Sequence, residues 1–201
     1  MRIFVALTGA SGAVYGVRVV EKLVSLGQEV TVCASATALG ILRDEGCSGD
    51  GAGDYEEFLR GCFRCGGEVE IARPDDFSSP FASGSNPPDA MAVVPCSMGT
   101  LGRIAAGIST TLIERAADVC LKERKTLVLV PRESPLNLVH VRNMETLIQA
   151  GATIMPAAPS FYHRPRTVDE LVDFFAGRVV ESLGVKGGVT QRWGEKKEVL
   201  E

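Results

Sequence analysis

The chain has 201 residues, of which 45% are hydrophobic and 23% charged, and its net charge is −4. This composition supports one folded domain and excludes wholesale disorder, and the negative charge gives no electrostatic footprint for nucleic acid or an anionic membrane. No apolar run approaches the roughly 20 residues of a membrane span, and the sequence opens on a strand pattern without a leader. We therefore expect a cytosolic protein whose six cysteines are reduced thiols.

The first pattern predicts a strand over residues 2–8, a glycine-rich turn and a helix over about 11–26. Such a turn exposes backbone N–H groups at a helix N-terminus, which favours an anion. Ser11 stands where a dinucleotide fingerprint has its second glycine, so NAD is disfavoured. No Gly-Lys-Ser/Thr follows, which excludes a Walker P-loop. The turn is therefore either a phosphate site or an ordinary strand-to-helix turn that binds nothing.

The next predicted strand covers residues 29–33, and Ser35 follows it as the N-cap of a helix through Glu45. Residues 46–67 form a Gly- and Cys-rich excursion that holds Cys47 and a Cys-x-x-Cys pair, Cys62 and Cys65. A structural zinc site normally has four ligands, and neither histidine is near. We expect no metal here and an ordinary surface excursion.

A buried strand over residues 90–94 leads into the turn 95–100, which again offers hydroxyls and a glycine at a helix start. Ser109 is the predicted cap of a helix to about residue 124. On that helix Arg115, Asp118 and Lys122 share one face, either as ligand-binding groups or as a solvated ion pair.

The clearest buried strand, residues 126–130, ends beside Arg132 and Glu133. These two residues are either ligand-binding groups or a surface salt bridge. A helix over 137–150 holds His140, which we interpret as structural. It is followed by a strand over 152–155 and a stiff loop over 156–165 that displays two aromatic rings and an imidazole.

Thr167 is the predicted cap of a last helix over 168–183. On this helix we expect Arg178 on a largely apolar side, where a guanidinium needs an anion, either a carboxylate or a ligand phosphate. Residues 185–201 are polar and are predicted to be a tail. The alternation of strands and helices predicts a single doubly wound α/β domain over residues 1–184, a three-layer sandwich of the Rossmann or flavodoxin type with a mainly parallel sheet. Hydroxyls, glycines and arginines would then gather at one edge of the sheet.

Several motifs together resemble the flavin prenyltransferases, the UbiX family, within the flavoprotein decarboxylase-like superfamily. The likeness runs from residue 1 to about 184. It is carried by the order and spacing of segments 9–12, 82–85, 95–100, 112–119, 121–124, 130–133 and 156–162.

The resemblance implies an enzyme that binds reduced FMN and dimethylallyl monophosphate and joins the prenyl group to flavin N5 and C6. The product, prenylated FMN, is the cofactor of UbiD-type decarboxylases. The family is metal-independent, and its members are usually dodecamers with active sites where subunits meet.

The resemblance also implies roles for individual residues. Those that match FMN-binding positions are Gly9, Ala10, Ser11, Ser35, Ser97, Met98, Gly99, Thr100 and Arg132. Those that match positions at the prenyl phosphate are Lys122, Arg132, Tyr162 and Arg178. Ser11 and Glu133 match groups placed for proton transfer, Lys122 supplies charge to the reaction, and Glu45 and Arg115 match further polar positions around the site.

Two alternatives stay open. One is an FMN-dependent decarboxylase of the phosphopantothenoylcysteine type, although that group relies on an early catalytic histidine and this sequence has none before His140. The other is a non-catalytic flavin-binding protein, which would not need Lys122, Glu133, Tyr162 and Arg178 together at the ligand edge. The sequence also leaves open whether the prenyl donor is a monophosphate or a pyrophosphate. Segments 46–67 and 185–201 carry no motif of the family.

Overall fold

The computed structural model describes residues 1–47 and 54–188. Their six strands form one sheet in the order β3-β2-β1-β4-β5-β6, and all neighbouring strands are parallel. The strands are β1 Arg2–Leu7, β2 Glu29–Ala34, β3 Val69–Ile71, β4 Ala90–Cys96, β5 Thr126–Pro131 and β6 Thr153–Ile154. This order is that of the doubly wound Rossmann sheet, so the predicted fold class is confirmed.

Seven α-helices occur in the described residues: α1 Ala13–Ser25, α2 Ala36–Asp44, α3 Tyr55–Gly61, α4 Met98–Ala105, α5 Leu112–Lys122, α6 Leu138–Gln149 and α7 Val168–Ser182. Ser35 and Thr167 cap their helices as predicted, each side chain accepting a bond from a first-turn N–H. The prediction that Ser109 begins α5 was wrong. Thr111 is the N-cap, because it forms a capping box with Glu114.

The alternation of side chains along the strands builds two core layers, one on each face of the sheet. Ile3, Val5 and Leu7 of β1 point to the layer formed with α1, α2, α3 and α7. Phe4 and Ala6 point to the opposite layer, formed with α4, α5 and α6. The three layers of the predicted sandwich follow directly from this period of two.

The excursion at residues 46–67 contributes more than surface, which corrects the prediction. Its residues 48–53 lie outside the described residues, but α3 buries Phe58 and Leu59 in the core. The Tyr55 hydroxyl donates to the carbonyl of Ala34 at 3.0 Å and accepts from that residue's N–H at 2.8 Å. Burial raises the pKa of Tyr55, so the phenol stays protonated and fastens α3 to the end of β2.

The last helix, α7, packs against α1. Asp173 accepts from Arg18 at 3.2 Å and from Lys22 at 2.9 Å, and the Tyr15 and Phe175 rings meet edge-on at 5.0 Å. Val185 is buried, so packing continues just past the predicted boundary at residue 184. Most of the predicted tail, residues 189–201, lies outside the described residues. No helix in the described ranges is long and apolar enough to cross a membrane.

Candidate functional site

The site begins where β1 and β4 lie side by side in the sheet while their following connections diverge. At such a point the carboxyl ends of the strands leave a crevice for a ligand. The Thr8 hydroxyl donates to the carbonyl of Pro95 at 2.9 Å and accepts from the Ser97 N–H at 2.8 Å. Thr8 is fully buried, so it fixes the turn after β1 against the turn after β4.

In the turn after β1, the position of Gly9 leaves no room for a side chain. A Cβ at Gly9 would lie 2.7 Å from Thr37, so only glycine allows α2 to come this near. Ala10 is buried and Ser11 is exposed. Gly12 has φ +100°, the left-handed conformation that favours glycine, and it is the N-cap of α1. The arrangement presents main chain and one hydroxyl to the crevice.

The expectation of a ligand anion at the N-terminus of α1 needs correction. Glu45, directly after α2, places its carboxylate there and accepts from the N–H groups of Gly12 at 2.7 Å and Ala13 at 2.8 Å. An internal carboxylate thus satisfies the helix end and its partial positive charge. A ligand phosphate has to bind elsewhere at this edge of the sheet.

Two other helices begin at the same edge. Ser35 caps α2 by accepting from the Ala38 N–H at 3.2 Å, which leaves the proton of its hydroxyl available to a ligand. Ser97 caps α4 by accepting from the Thr100 N–H, and it donates to the Thr100 hydroxyl at 3.0 Å. At the start of α4, Met98 is buried and Gly99 is exposed. Both helices begin at the carboxyl edge, where a helix N-terminus favours an anion.

A buried network supports the Ser97 turn, and sequence reasoning missed it. The Glu114 carboxylate is 1% exposed and accepts from Arg103, from both the N–H and the hydroxyl of Thr110, and from the Thr111 N–H. Burial alone would raise the pKa of Glu114, but these hydrogen bonds hold it below its usual value. Arg103 also donates to Thr100 at 3.1 Å, so the Glu114 carboxylate supports the Ser97 turn through Arg103 and Thr100. The capping-box spacing of Thr111 and Glu114 was the signal that could have found it.

Arg132 and Glu133 follow β5 at the same edge, as predicted. The Arg132 Nε donates to the carbonyl of Ser11 at 3.1 Å, across 121 residues of sequence. The exposed Glu133 carboxylate accepts from the N–H of the next residue, Ser134, at 3.0 Å. The structure thereby joins the Arg132 guanidinium to the main chain of Ser11, with Glu133 as the next residue along the chain.

Lys122 is not at this edge, which corrects the prediction that the site residues gather there. Lys122 ends α5 four residues before β5 begins, so it lies at the amino edge of the sheet. The six residues of β5 put about 17 Å between the two edges.

At the amino edge Lys122 pairs with Glu123 and lies against Gly84, where a Cβ would collide with its Nζ. Arg115 donates to the carbonyl of Ala82 at 2.9 Å and to Asp118 at 2.7 Å. The loop over residues 82–85 and the end of α5 therefore make a second, separate polar cluster.

Tyr162 and Arg178 belong to a third region, along α7. The Tyr162 ring meets Phe174 edge-on at 5.3 Å, and Arg178 lies one turn further along the helix. The prediction of an apolar environment for Arg178 was wrong: its side chain is 51% exposed and pairs with Glu181 at 3.6 Å. The imidazole of His163, expected to be displayed, is buried and stacks on Phe174 at 4.2 Å.

Residues 1–180 match the Flavoprotein family. Flavin prenyltransferase UbiX of Archaeoglobus fulgidus is 46% identical over 199 residues, covering 96% of this chain and all of the relative. Two solved structures are also similar. AnUbiX in complex with FMN and dimethylallyl pyrophosphate is 37% identical with a TM-score of 0.83, covering 98% of each chain. A dodecameric FMN-dependent UbiX-like decarboxylase from Escherichia coli is 35% identical with a TM-score of 0.85, covering 97% of this chain and all of the other.

The chain therefore belongs to the Flavoprotein family and, within it, to the flavin prenyltransferases of the UbiX type. In the described residues, no group of three or more His, Cys, Asp or Glu side chains could hold a metal ion.

Proposed function

We propose that this protein joins the dimethylallyl group of dimethylallyl monophosphate to N5 and C6 of reduced FMN, giving prenylated FMN. The observation that carries the proposal is the bond from Arg132 to the carbonyl of Ser11, with Glu133 beside it. It supports the proposed roles of Arg132 in phosphate binding and of Ser11 and Glu133 in proton transfer, because all three residues follow strands at the carboxyl edge of the sheet. The similar AnUbiX structure holds FMN and dimethylallyl pyrophosphate, which supports the choice of both ligands.

The residues at the carboxyl edge fit FMN. The turn after β1 offers the exposed Ser11 at the carboxyl edge, where a flavin could contact it. The Ser35 hydroxyl and the first N–H groups of α2 and α4 are donors suited to the FMN phosphate. Glu45 occupies the end of α1, so Ser35 and Ser97, at the starts of α2 and α4, would hold the phosphate of FMN.

The reaction needs a leaving phosphate whose negative charge is neutralised. Lys122, Arg132 and Arg178 supply positive charge, held in place before the reaction begins, and Tyr162 donates a hydrogen bond. Reduced FMN, when bound, supplies the nucleophilic N5 and C6 atoms. Bond formation at C6 releases a ring proton, which Glu133 accepts as general base while Ser11 serves proton transfer near N5.

These groups lie in three regions of one chain, so we propose that each site is assembled from several copies. Lys122 at the amino edge is about 17 Å from the carboxyl edge that holds Arg132, and Arg178 lies on the outer surface of α7. The α6 helix, which follows Glu133, exposes Leu138, Val139, Val141 and Ile148. Such an apolar face beside the site favours burial against another copy, and a similar structure is dodecameric.

The decarboxylase alternative is less well supported by the geometry. The chain has only two histidines. His140 lies in the first turn of α6, where Asn137 caps its N–H at 2.9 Å, and His163 is stacked on Phe174. The His140 ring is hydrogen-bonded to Asn137 and the His163 ring is buried, so the geometry gives a histidine-dependent decarboxylation little support.

The first test is an anaerobic incubation with reduced FMN and dimethylallyl monophosphate, followed by the mass of the flavin. A gain of one C5H8 unit is expected, and a parallel incubation with the pyrophosphate defines the donor. Glu133→Gln should still alkylate N5 but fail to close the ring at C6, which the absorption spectrum reports. Absence of any mass gain with either donor refutes the transferase, and full ring closure in the variant refutes the role of Glu133.

A second test addresses the shared site. Lys122→Ala and Arg132→Ala chains are each expected to be inactive, and they are then co-expressed with different tags and purified as mixed assemblies. If each site takes these residues from two different copies, about a quarter of the sites in a random mixture are intact. If both residues served from one chain, no site would be intact, and the mixture would stay at the background of the single variants.

We further propose that the product is delivered to a UbiD-type decarboxylase and that the protein works in the cytoplasm, where reduced flavin and free thiols persist. The six cysteines, all within the described ranges, form no disulfide, which agrees with a reducing compartment. The purified protein with its product should activate an apo decarboxylase of that type, and FMN alone should not.

A further inference from the structure

The cysteines of the excursion over residues 46–67 take no part in the proposed reaction, yet two of them are paired in space. Cys47 follows α2, and Cys62 ends α3, 15 residues further along the chain. Cys62 belongs to the core layer against which Cys47 packs. Both line one cavity of about 300 Å³, together with Glu45 and Arg64. The other cysteine of the Cys-x-x-Cys motif, Cys65, lies outside this cavity.

The backbone at both thiols is held in place. Cys47 N–H donates to the carbonyl of Leu42 at 2.9 Å, which ties it to the last turn of α2. Cys62 N–H donates to the carbonyl of Leu59 at 3.0 Å, and its thiol lies 3.3 Å from the carbonyl of Phe58. Because both positions are fixed by helices, the thiols stay near each other, as disulfide formation requires.

The two thiols differ in accessibility. Cys62 is buried, whereas Cys47 is half-buried at the cavity wall. The hydrogen bond from Cys62 lowers the pKa of the Cys47 thiol to about 7, against the opposing effects of burial and of Glu45. In contrast, burial raises the pKa of Cys33, Cys96 and Cys120 to about 12. Cys47 has the accessible thiolate of a reactive cysteine, and Cys62 is placed to resolve it.

We propose that Cys47 and Cys62 are a peroxide-oxidised thiol pair that closes to a reversible disulfide. The Cys47 thiolate attacks hydrogen peroxide and becomes a sulfenic acid, releasing one water after proton uptake. The Cys62 thiol then displaces the hydroxyl as a second water, so that two thiols and one peroxide give one disulfide and two waters. Reduced flavin yields hydrogen peroxide on contact with dioxygen, so the oxidant arises from the protein's own substrate. The disulfide fastens the end of α2, and with it Glu45, to the end of α3.

The test treats the full-length reduced protein with hydrogen peroxide, alkylates the remaining thiols and maps the peptides by mass spectrometry. The expected product is a peptide pair linked through Cys47 and Cys62, with a loss of 2 Da and full reversal by dithiothreitol. The matched control Cys65→Ser should give the same linkage, and Cys62→Ala should leave Cys47 as a sulfenic acid that dimedone traps. A link between Cys62 and Cys65, a link between chains, or no link overturns the proposal.

A second measurement does not depend on disulfide closure. The alkylation rate of Cys47 by iodoacetamide should rise with pH through an inflection near 7 and fall about tenfold at pH 7 in Cys62→Ala. An unchanged rate in that variant, with circular dichroism showing a folded protein, overturns the pairing of the two thiols.

Discussion

Replacing Glu114 by alanine tests whether the buried network behind the Ser97 turn holds the domain together. The variant removes a carboxylate that accepts four hydrogen bonds. Two backbone N–H groups and Arg103 thereby lose their acceptor. Removing one partner of a buried ion pair costs about 3–5 kcal/mol. Because the Arg103 side chain is 43% exposed, water hydrates it in the variant. We therefore expect the free energy of unfolding to fall by about 3 kcal/mol, the lower end of this range.

For a domain of this length, about 2–4 °C of Tm is lost per kcal/mol, so the expected fall is about 6–12 °C. Thermal unfolding at pH 7 and at matched protein concentration measures it. Asp118→Ala, on the same helix, is the control. It removes an ion pair with Arg115 in which both side chains are partly exposed, 32% and 40%, and should cost less than about 1 kcal/mol. A fall below about 2 °C for Glu114→Ala would refute the reasoning.

The pH dependence has a definite sign. Because the pKa of Glu114 is lower in the folded protein than the ordinary value of 4.5 for a glutamate, the unfolded chain binds the proton more readily. The stabilisation is therefore complete above pH 4.5 and is lost as the pH falls through the folded-state pKa. The difference in unfolding free energy between wild type and Glu114→Gln should be constant from pH 7 to about 5.5 and shrink below about 4.5. A difference that grows on acidification contradicts the assignment.

Three further substitutions, two of them paired with a control substitution, have distinct expected outcomes. Gly16→Ala places a Cβ against a backbone carbonyl of β4 and should lower the free energy of unfolding, measured in urea, by at least about 2 kcal/mol. Its control, Gly40→Ala, meets open space in α2 and should raise that free energy by about 0.5–1 kcal/mol. Gly84→Ala displaces the lysine at the end of α5, so kcat/KM for the prenyl donor should fall about tenfold with Tm unchanged within about 2 °C, and a normal kcat/KM would contradict this. Glu45→Ala uncovers the start of α1 and should lower stability by about 1 kcal/mol, whereas the exposed neighbour Asp44→Ala should have no measurable effect.

Much of the fold follows from local patterns. The strand period of two separates Phe4 from Ile3 and Val5 and thereby defines both core layers. The predictions of Ser35 and Thr167 as N-caps are confirmed, because an N-cap is recognisable from a few adjacent residues.

What the sequence did not reveal depends on contacts between distant residues. The Glu45 carboxylate reaches Gly12 across 33 residues, and no local pattern predicts that it fills the end of α1. The prediction that Arg178 lies in an apolar environment was wrong. Phe174 and Phe175 are buried, but the Arg178 side chain, one turn further along the helix, points to solvent. The prediction that Lys122 lies at the carboxyl edge was wrong, because helical spacing does not indicate at which edge of a sheet a helix ends.

The 17 Å between the two edges of the sheet has a consequence for inheritance. If the sites are shared between copies as proposed, a chain with a damaged Lys122 builds a sound crevice of its own and harms the crevice of its neighbour. In a cell with two versions of the gene, one faulty copy therefore weakens sites that the healthy copy has folded correctly. Two differently damaged copies can, in the same way, restore each other.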